Sequence, residues 1–127
     1  MLGTITPVPT LAVSDLARAR GFYEGVLGLL IASEGDQGIN YTTGSTQVLV
    51  YPSSFAGTNK ATAVSFPLDK DAFDTEVAAL RTKGVTFQTF DLPEGTWTDG
   101  VASYGDDFRS VWFSDPDGNI INLETGM

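Results

Sequence analysis

The chain has 127 residues, 42% of them hydrophobic and 11% aromatic, enough to bury one core in one domain, which excludes a disordered polymer. Acidic residues outnumber basic ones by 16 to 7, giving a formal charge of -9, and histidine and cysteine are absent. A phosphate-backbone partner, disulfides, thiolate or imidazole metal centres and an imidazole base are thereby excluded.

No run of about 18 apolar residues exists, so no membrane span is expected. Met1-Leu2-Gly3-Thr4-Ile5 lacks the basic and apolar regions of a leader, and a cytoplasmic protein is expected. In chain order, 8–13 reads as a short strand, with Pro7 and Pro9 marking its start or an edge. Ser14 or Asp15 can cap the next helix, because Leu16, Ala19, Phe22, Tyr23, Val26 and Leu27 recur three or four apart. Gly28 suits a left-handed end to it. Strands are predicted over 29–33, 39–43 and 46–51, with Gly35, Gly38 and Gly44 in the connections.

The same order then recurs. A strand over 62–68 precedes a helix opened by Asp69 or Asp71, with Phe73, Val77 and Leu80 as its buried stripe and Gly84 at its end. Strands over 85–90, 101–104, 110–113 and 120–124 follow, with a loop over 92–100. The predicted architecture is α+β: two βαβββ modules, about 5–52 and 62–127, joined by a linker at about 53–61. Each curved sheet carries its helix on one face and leaves the other to meet its counterpart or to line a cleft.

Asp115-Pro116-Asp117-Gly118-Asn119 has the look of a calcium loop. That spacing demands Gly and Glu where Ile120 and Gly126 stand, so the reading fails. As a hairpin it works: Pro116 presets one corner and Gly118 takes the left-handed position. Pairing Asp115 with Asn119 sets Trp112 opposite Asn122 and Ser110 opposite Glu124, all on one side with Phe108. Val111, Phe113, Ile121 and Leu123 then lie on the other side.

The run Val13-Ser14-Asp15-Leu16-Ala17-Arg18-Ala19-Arg20-Gly21-Phe22-Tyr23-Glu24-Gly25-Val26-Leu27-Gly28-Leu29 resembles the first helix of the vicinal oxygen chelate superfamily. That superfamily contains glyoxalases, extradiol dioxygenases and bleomycin-resistance proteins. Asp115-Pro116-Asp117-Gly118-Asn119 resembles its second signature, and the resemblance covers nearly the whole chain. It implies paired βαβββ modules, a homodimer and, in the enzymes, a divalent metal held mostly by His, Glu or Gln. Carried over, the four ligand positions fall on Val8, Leu49 (with Gln47 nearby), Ala63 and Asn122. Three apolar residues and one amide do not hold a divalent ion, so no metal and no cofactor are expected.

Ligand contacts are expected instead from Tyr41, Tyr51, Phe55, Trp97, Tyr104, Phe108, Trp112, Asn122 and Glu124. Ring faces beside a carboxylate suit a cationic or aromatic small molecule. Ordinary packing is the competing reading for the strand aromatics; for Trp97, on a polar loop, a lid and a dimer contact compete. Asp106, Asp107, Glu34 and Asp36 read as solvated turn charges or an acidic rim. The expected function, similar to the bleomycin-resistance branch, is metal-independent sequestration of a small organic molecule, as in antibiotic resistance. A lyase, isomerase or dioxygenase with its metal elsewhere, and a regulatory or interaction domain, are the alternatives.

Overall fold

The computed structural model describes residues 1–126. The chain divides into two units, Met1–Ala63 with the turn Asp115–Asn119, and Val64–Ser114 with Ile120 onward. In the first unit β1 (Thr10–Val13) leads to α1 (Leu16–Arg20), which continues as a π-helical stretch over Gly21–Val26. The strands β2 (Leu30–Gly35), β3 (Gly38–Thr43) and β4 (Thr46–Pro52) follow. The sheet order is β1-β4-β3-β2, with β1 parallel to β4 and the other pairs antiparallel.

Local chemistry explains these boundaries. Asp15 Oδ1 accepts the N–H groups of Ala17 and Arg18, satisfying two orphan donors at the helix start. At the other end Gly28 has φ 70°, and the Leu29 N–H reaches back to the Tyr23 carbonyl at 2.9 Å, closing the left-handed cap. Strand alternation places Leu11, Val13, Ile39, Tyr41, Val48 and Val50 on one face. All six are buried, as are Ala19, Phe22 and Tyr23 of the helical segment that covers them. Thr10, Ala12, Asn40, Leu49 and Tyr51 lie on the opposite face. Gly38 is required where it stands, since a Cβ there would lie 2.3 Å from the Val50 carbonyl oxygen.

The second unit, which β5 (Thr62–Pro67) enters from Val64, follows the same plan with one strand more: α2 (Lys70–Thr82), β6 (Thr96–Thr98), β7 (Val101–Tyr104), β8 (Phe108–Ser114) and β9 (Ile120–Thr125). Its sheet runs β5-β9-β8-β7-β6. Asp69 caps α2 through the Ala72 N–H at 2.8 Å, and Phe73, Val77 and Leu80 form its buried stripe. Val111, Phe113, Ile121 and Leu123 complete the core. The α+β plan of two modules, each a sheet with its helix, is the predicted one, with four strands in the first sheet and five in the second.

Two details differ from the sequence expectation. Residues 85–90 form no strand and meet β8 only beyond the end of its pairing with β7. Pairing with β7 stops at Ser110, so the Trp112 carbonyl is left over and takes a single bond from the Gln88 N–H at 2.7 Å. The supposed loop 92–100 instead contains β6, which pairs with β7 through a two-residue turn. Both turn residues have positive φ, Asp99 at 50° and Gly100 at 80°, the type I′ geometry that matches strand twist.

Candidate functional site

The hairpin β8–β9 has the register expected from its turn: Trp112 opposite Asn122 and Ser110 opposite Glu124. Ala102 lies opposite Ser110, Tyr104 opposite Phe108, and Trp97 opposite Ala102. One sheet face, opposite the buried core face, therefore carries Trp97, Tyr104, Phe108, Trp112, Asn122 and Glu124 together. The rings touch edge to face. Trp97 and Trp112 centroids are 6.1 Å apart, and Phe90 lies 5.0 Å from Trp112 and 5.4 Å from Trp97. Trp97 Nε1 donates to the Phe90 carbonyl at 2.9 Å, tying β6 to the segment before it, and Tyr104 and Phe108 are in tilted contact at 5.6 Å. Among the paired positions of β6 to β9 on this face, Glu124 is the only charged side chain.

Phe90 was not among the expected contacts, although it is 49% exposed. Its signal was its position, a large aromatic directly before an Asp-Leu-Pro-Glu-Gly connection, masked by the reading of 85–90 as a strand. The first unit holds the remaining expected contacts. Tyr51 and Phe55 line a depression of about 460 Å³ on the β1–β4 face. Tyr41 does not join them. It lies on the opposite face, fully buried, its ring stacked 5.8 Å from Tyr23 and its hydroxyl donating to Glu24 at 2.8 Å. Strand alternation explains the difference, for Tyr41 pairs with Val48, whereas Tyr51 pairs with Ala12 of the other face.

The turn 115–119 is a hydrogen-bonded knot within the first unit. Asp115 Oδ2 accepts the Tyr23 hydroxyl at 2.7 Å and Asn119 Nδ2 at 2.8 Å, while Oδ1 accepts the Asp117 and Asn119 N–H groups. Asn119 Nδ2 also donates to the Ala12 carbonyl at 2.8 Å. Asp117 Oδ1 accepts from Ser14 Oγ at 2.7 Å and Arg18 Nη2 at 3.1 Å. Burial, then the Asp115 charge, push the Tyr23 phenol far above its ordinary pKa. Burial and the hydrogen bond to Glu24 do the same to Tyr41. The two motifs singled out in the sequence thus meet at Asp115 and Asp117.

A family model described as the Glyoxalase/Bleomycin resistance protein/Dioxygenase superfamily matches residues 4–123. The chain belongs to this superfamily. Solved structures agree in fold. The fosfomycin resistance protein FosX from Mesorhizobium loti aligns over 100% of this chain and 95% of its own, with TM-score 0.70 and 19% identity. Lactoylglutathione lyase from Agrobacterium tumefaciens aligns over 97% and 94%, with TM-score 0.68 and 19% identity. A glyoxalase/bleomycin resistance protein/dioxygenase from Alicyclobacillus acidocaldarius aligns over 94% and 89%, with TM-score 0.72 and 17% identity. No curated protein matches the sequence.

FosX from Listeria monocytogenes has been solved with Mn(II) and sulfate, so a superfamily metal is a fair test of this chain. The residues do not fit one. Val8, Leu49 and Ala63 carry no donor atom in their side chains. Asn122 is 3% exposed, and its Nδ2 donates to Ser110 Oγ at 2.5 Å and to the Val111 and Leu123 carbonyls at 3.0 and 3.3 Å. Its amide therefore knits β8 to β9. Among the described residues, no cluster of three or more Asp or Glu could hold an ion either.

Proposed function

We propose that this superfamily member binds a small cationic aromatic molecule without a metal, sequestering rather than transforming it, as a cytoplasmic homodimer. The observation that carries the reading is the second-unit face, where both tryptophans of the chain and Phe90 form one cluster. Glu124 is the lone charge on the paired positions of that face. Ring faces and a carboxylate both attract a cation, and a net charge of -9 raises its local concentration.

Intrinsic fluorescence reports on this face directly, since it holds every tryptophan. Titration with 9-aminoacridine, a planar cation, is expected to quench the emission, and neutral acridone to bind about tenfold more weakly, the effect of one charge contact of about 1.4 kcal/mol. Trp112→Ala and Glu124→Gln each reduce the affinity for the cation by a similar factor. Equal binding of the two probes, or a stoichiometric, chelator-removable transition metal in the purified protein, overturns the reading.

A further inference from the structure

The first unit carries a depression of different chemistry, which stands independently of the cation site. Its walls are Thr10, Tyr51, Phe55, Thr58, Asn59 and Thr62, with Leu11, Asn119 and small residues between them, and its volume is about 460 Å³. Among the described residues no carboxylate, ammonium or guanidinium lines it, which is notable in a chain so rich in acids. Its polar atoms are neutral. The hydroxyls of Thr10, Tyr51 and Thr62 and the Asn59 Nδ2 have no partner among the described residues.

Phe55 stands beside them 75% exposed, and flexibility does not account for that. The loop carrying it is tied at each step. The Ser53 N–H donates to the Val13 carbonyl at 3.0 Å, and the Ala56 N–H to the Ser53 carbonyl at 3.2 Å. The Phe55 N–H donates to Ser53 Oγ at 3.1 Å, and Thr58 Oγ1 to the Phe55 carbonyl at 2.7 Å. The Ala61 N–H donates to Asn59 Oδ1 at 3.0 Å. An apolar ring carried in water on a hydrogen-bonded backbone is available for contact, and the loop itself needs little ordering on binding.

We propose that this depression binds an uncharged polyhydroxylated ring, a sugar or a glycosyl group. The C–H face of such a ring stacks on Phe55, while its hydroxyls, each both donor and acceptor, meet the free threonine and tyrosine hydroxyls and the Asn59 amide. A charged ligand meets no direct counter-charge among the lining residues, and a carboxylate or ammonium held there loses water without replacement.

The test is amide chemical-shift mapping of the intact protein with methyl β-glucoside and methyl β-galactoside, alongside glucuronate and glucosamine. The expected result is millimolar binding of at least one neutral glycoside, with shifts confined to Thr58, Asn59, Thr62 and their neighbours. Phe55→Ala is expected to weaken it at least tenfold without altering the melting temperature, since the ring is exposed. Binding of the charged sugars as tight as that of the neutral ones, no shifts with either glycoside, or full affinity in Phe55→Ala overturns the proposal. Glycosides are read at first-unit amides and 9-aminoacridine at the second-unit tryptophans, so failure of one site leaves the other standing.

Discussion

Asp115 is 4% exposed and accepts four hydrogen bonds, one of them from Tyr23. Asp115→Asn replaces an acceptor oxygen by a donor facing donors, so chemical denaturation is expected to show a loss of about 3 kcal/mol. Tyr23→Phe, which leaves the carboxylate its three other donors, is expected to lose about 1.5–2 kcal/mol. The raised Tyr23 pKa gives a pH signature. The folded phenol keeps its proton where the unfolded one, with a pKa of about 10, has lost it. Its contribution is fully present below pH 10 and falls above it, by about 1.4 kcal/mol per pH unit. Urea titrations at rising alkaline pH are expected to show this decline, and Tyr23→Phe to lessen it, leaving the part that the raised Tyr41 phenol contributes. Asn122 supplies a contrasting case. Asn122→Asp would set a carboxylate against the Val111 and Leu123 carbonyls that now accept its N–H groups. A loss of about 2–4 kcal/mol is expected, with no gain of metal affinity in calorimetry. That Asp115 heads a hairpin rather than a calcium loop was legible from spacing alone. Its bond to Tyr23 was not, because nothing in local pattern pairs residues so distant in sequence.

Helix α2 was readable in full because three signals coincided, an Asp cap, a three-to-four spacing of Phe73, Val77 and Leu80, and a glycine at its end. The hairpin β8–β9 was readable in register because its turn residues and alternation agreed. Between these elements the signals conflicted. Residues 85–90 have strand composition but make a single backbone bond to β8, whereas β6 is three residues long and betrays itself only through Asp99-Gly100, the dipeptide of a type I′ turn. Tyr41 was misplaced for another reason: alternation gives two faces but not which one the helix covers. The short β6 depends on its bracketing glycine. A Cβ on Gly95 would lie 2.6 Å from the Ser103 carbonyl oxygen, and its φ is +91°. Gly95→Ala is therefore expected to free β6 and separate Trp97 from Trp112 and Phe90. The near-ultraviolet circular dichroism of the tryptophans should collapse while the far-ultraviolet signal, set by α2 and the long strands, stays within a few per cent.

A chain with seven basic and sixteen acidic residues and no imidazole or thiol has an electrostatic character that no single site determines. Long-range attraction between this field and a cation is screened over about 8–10 Å at physiological salt. A ring cluster beside one carboxylate adds a shorter-range part that salt weakens less. The two contributions separate by experiment. Raising the ionic strength is expected to slow association of 9-aminoacridine several-fold in stopped-flow fluorescence while changing its dissociation rate little, the division that long-range steering produces. Glu124→Gln is expected to do the reverse, raising the dissociation rate about tenfold with a small effect on association. Metal dependence belongs to the same comparison, because an ion bound only by the folded state stabilises it in proportion to the logarithm of its concentration. With no donor atom in the side chains of Val8, Leu49 and Ala63, where the resemblance leads one to expect the ligands, and the Asn122 amide already hydrogen-bonded, neither EDTA nor added Mn(II) is expected to move the melting temperature. A rise of several degrees on adding Mn(II), reversed by EDTA, would instead place a metal at residues outside the superfamily pattern and turn the sequestration reading into a catalytic one.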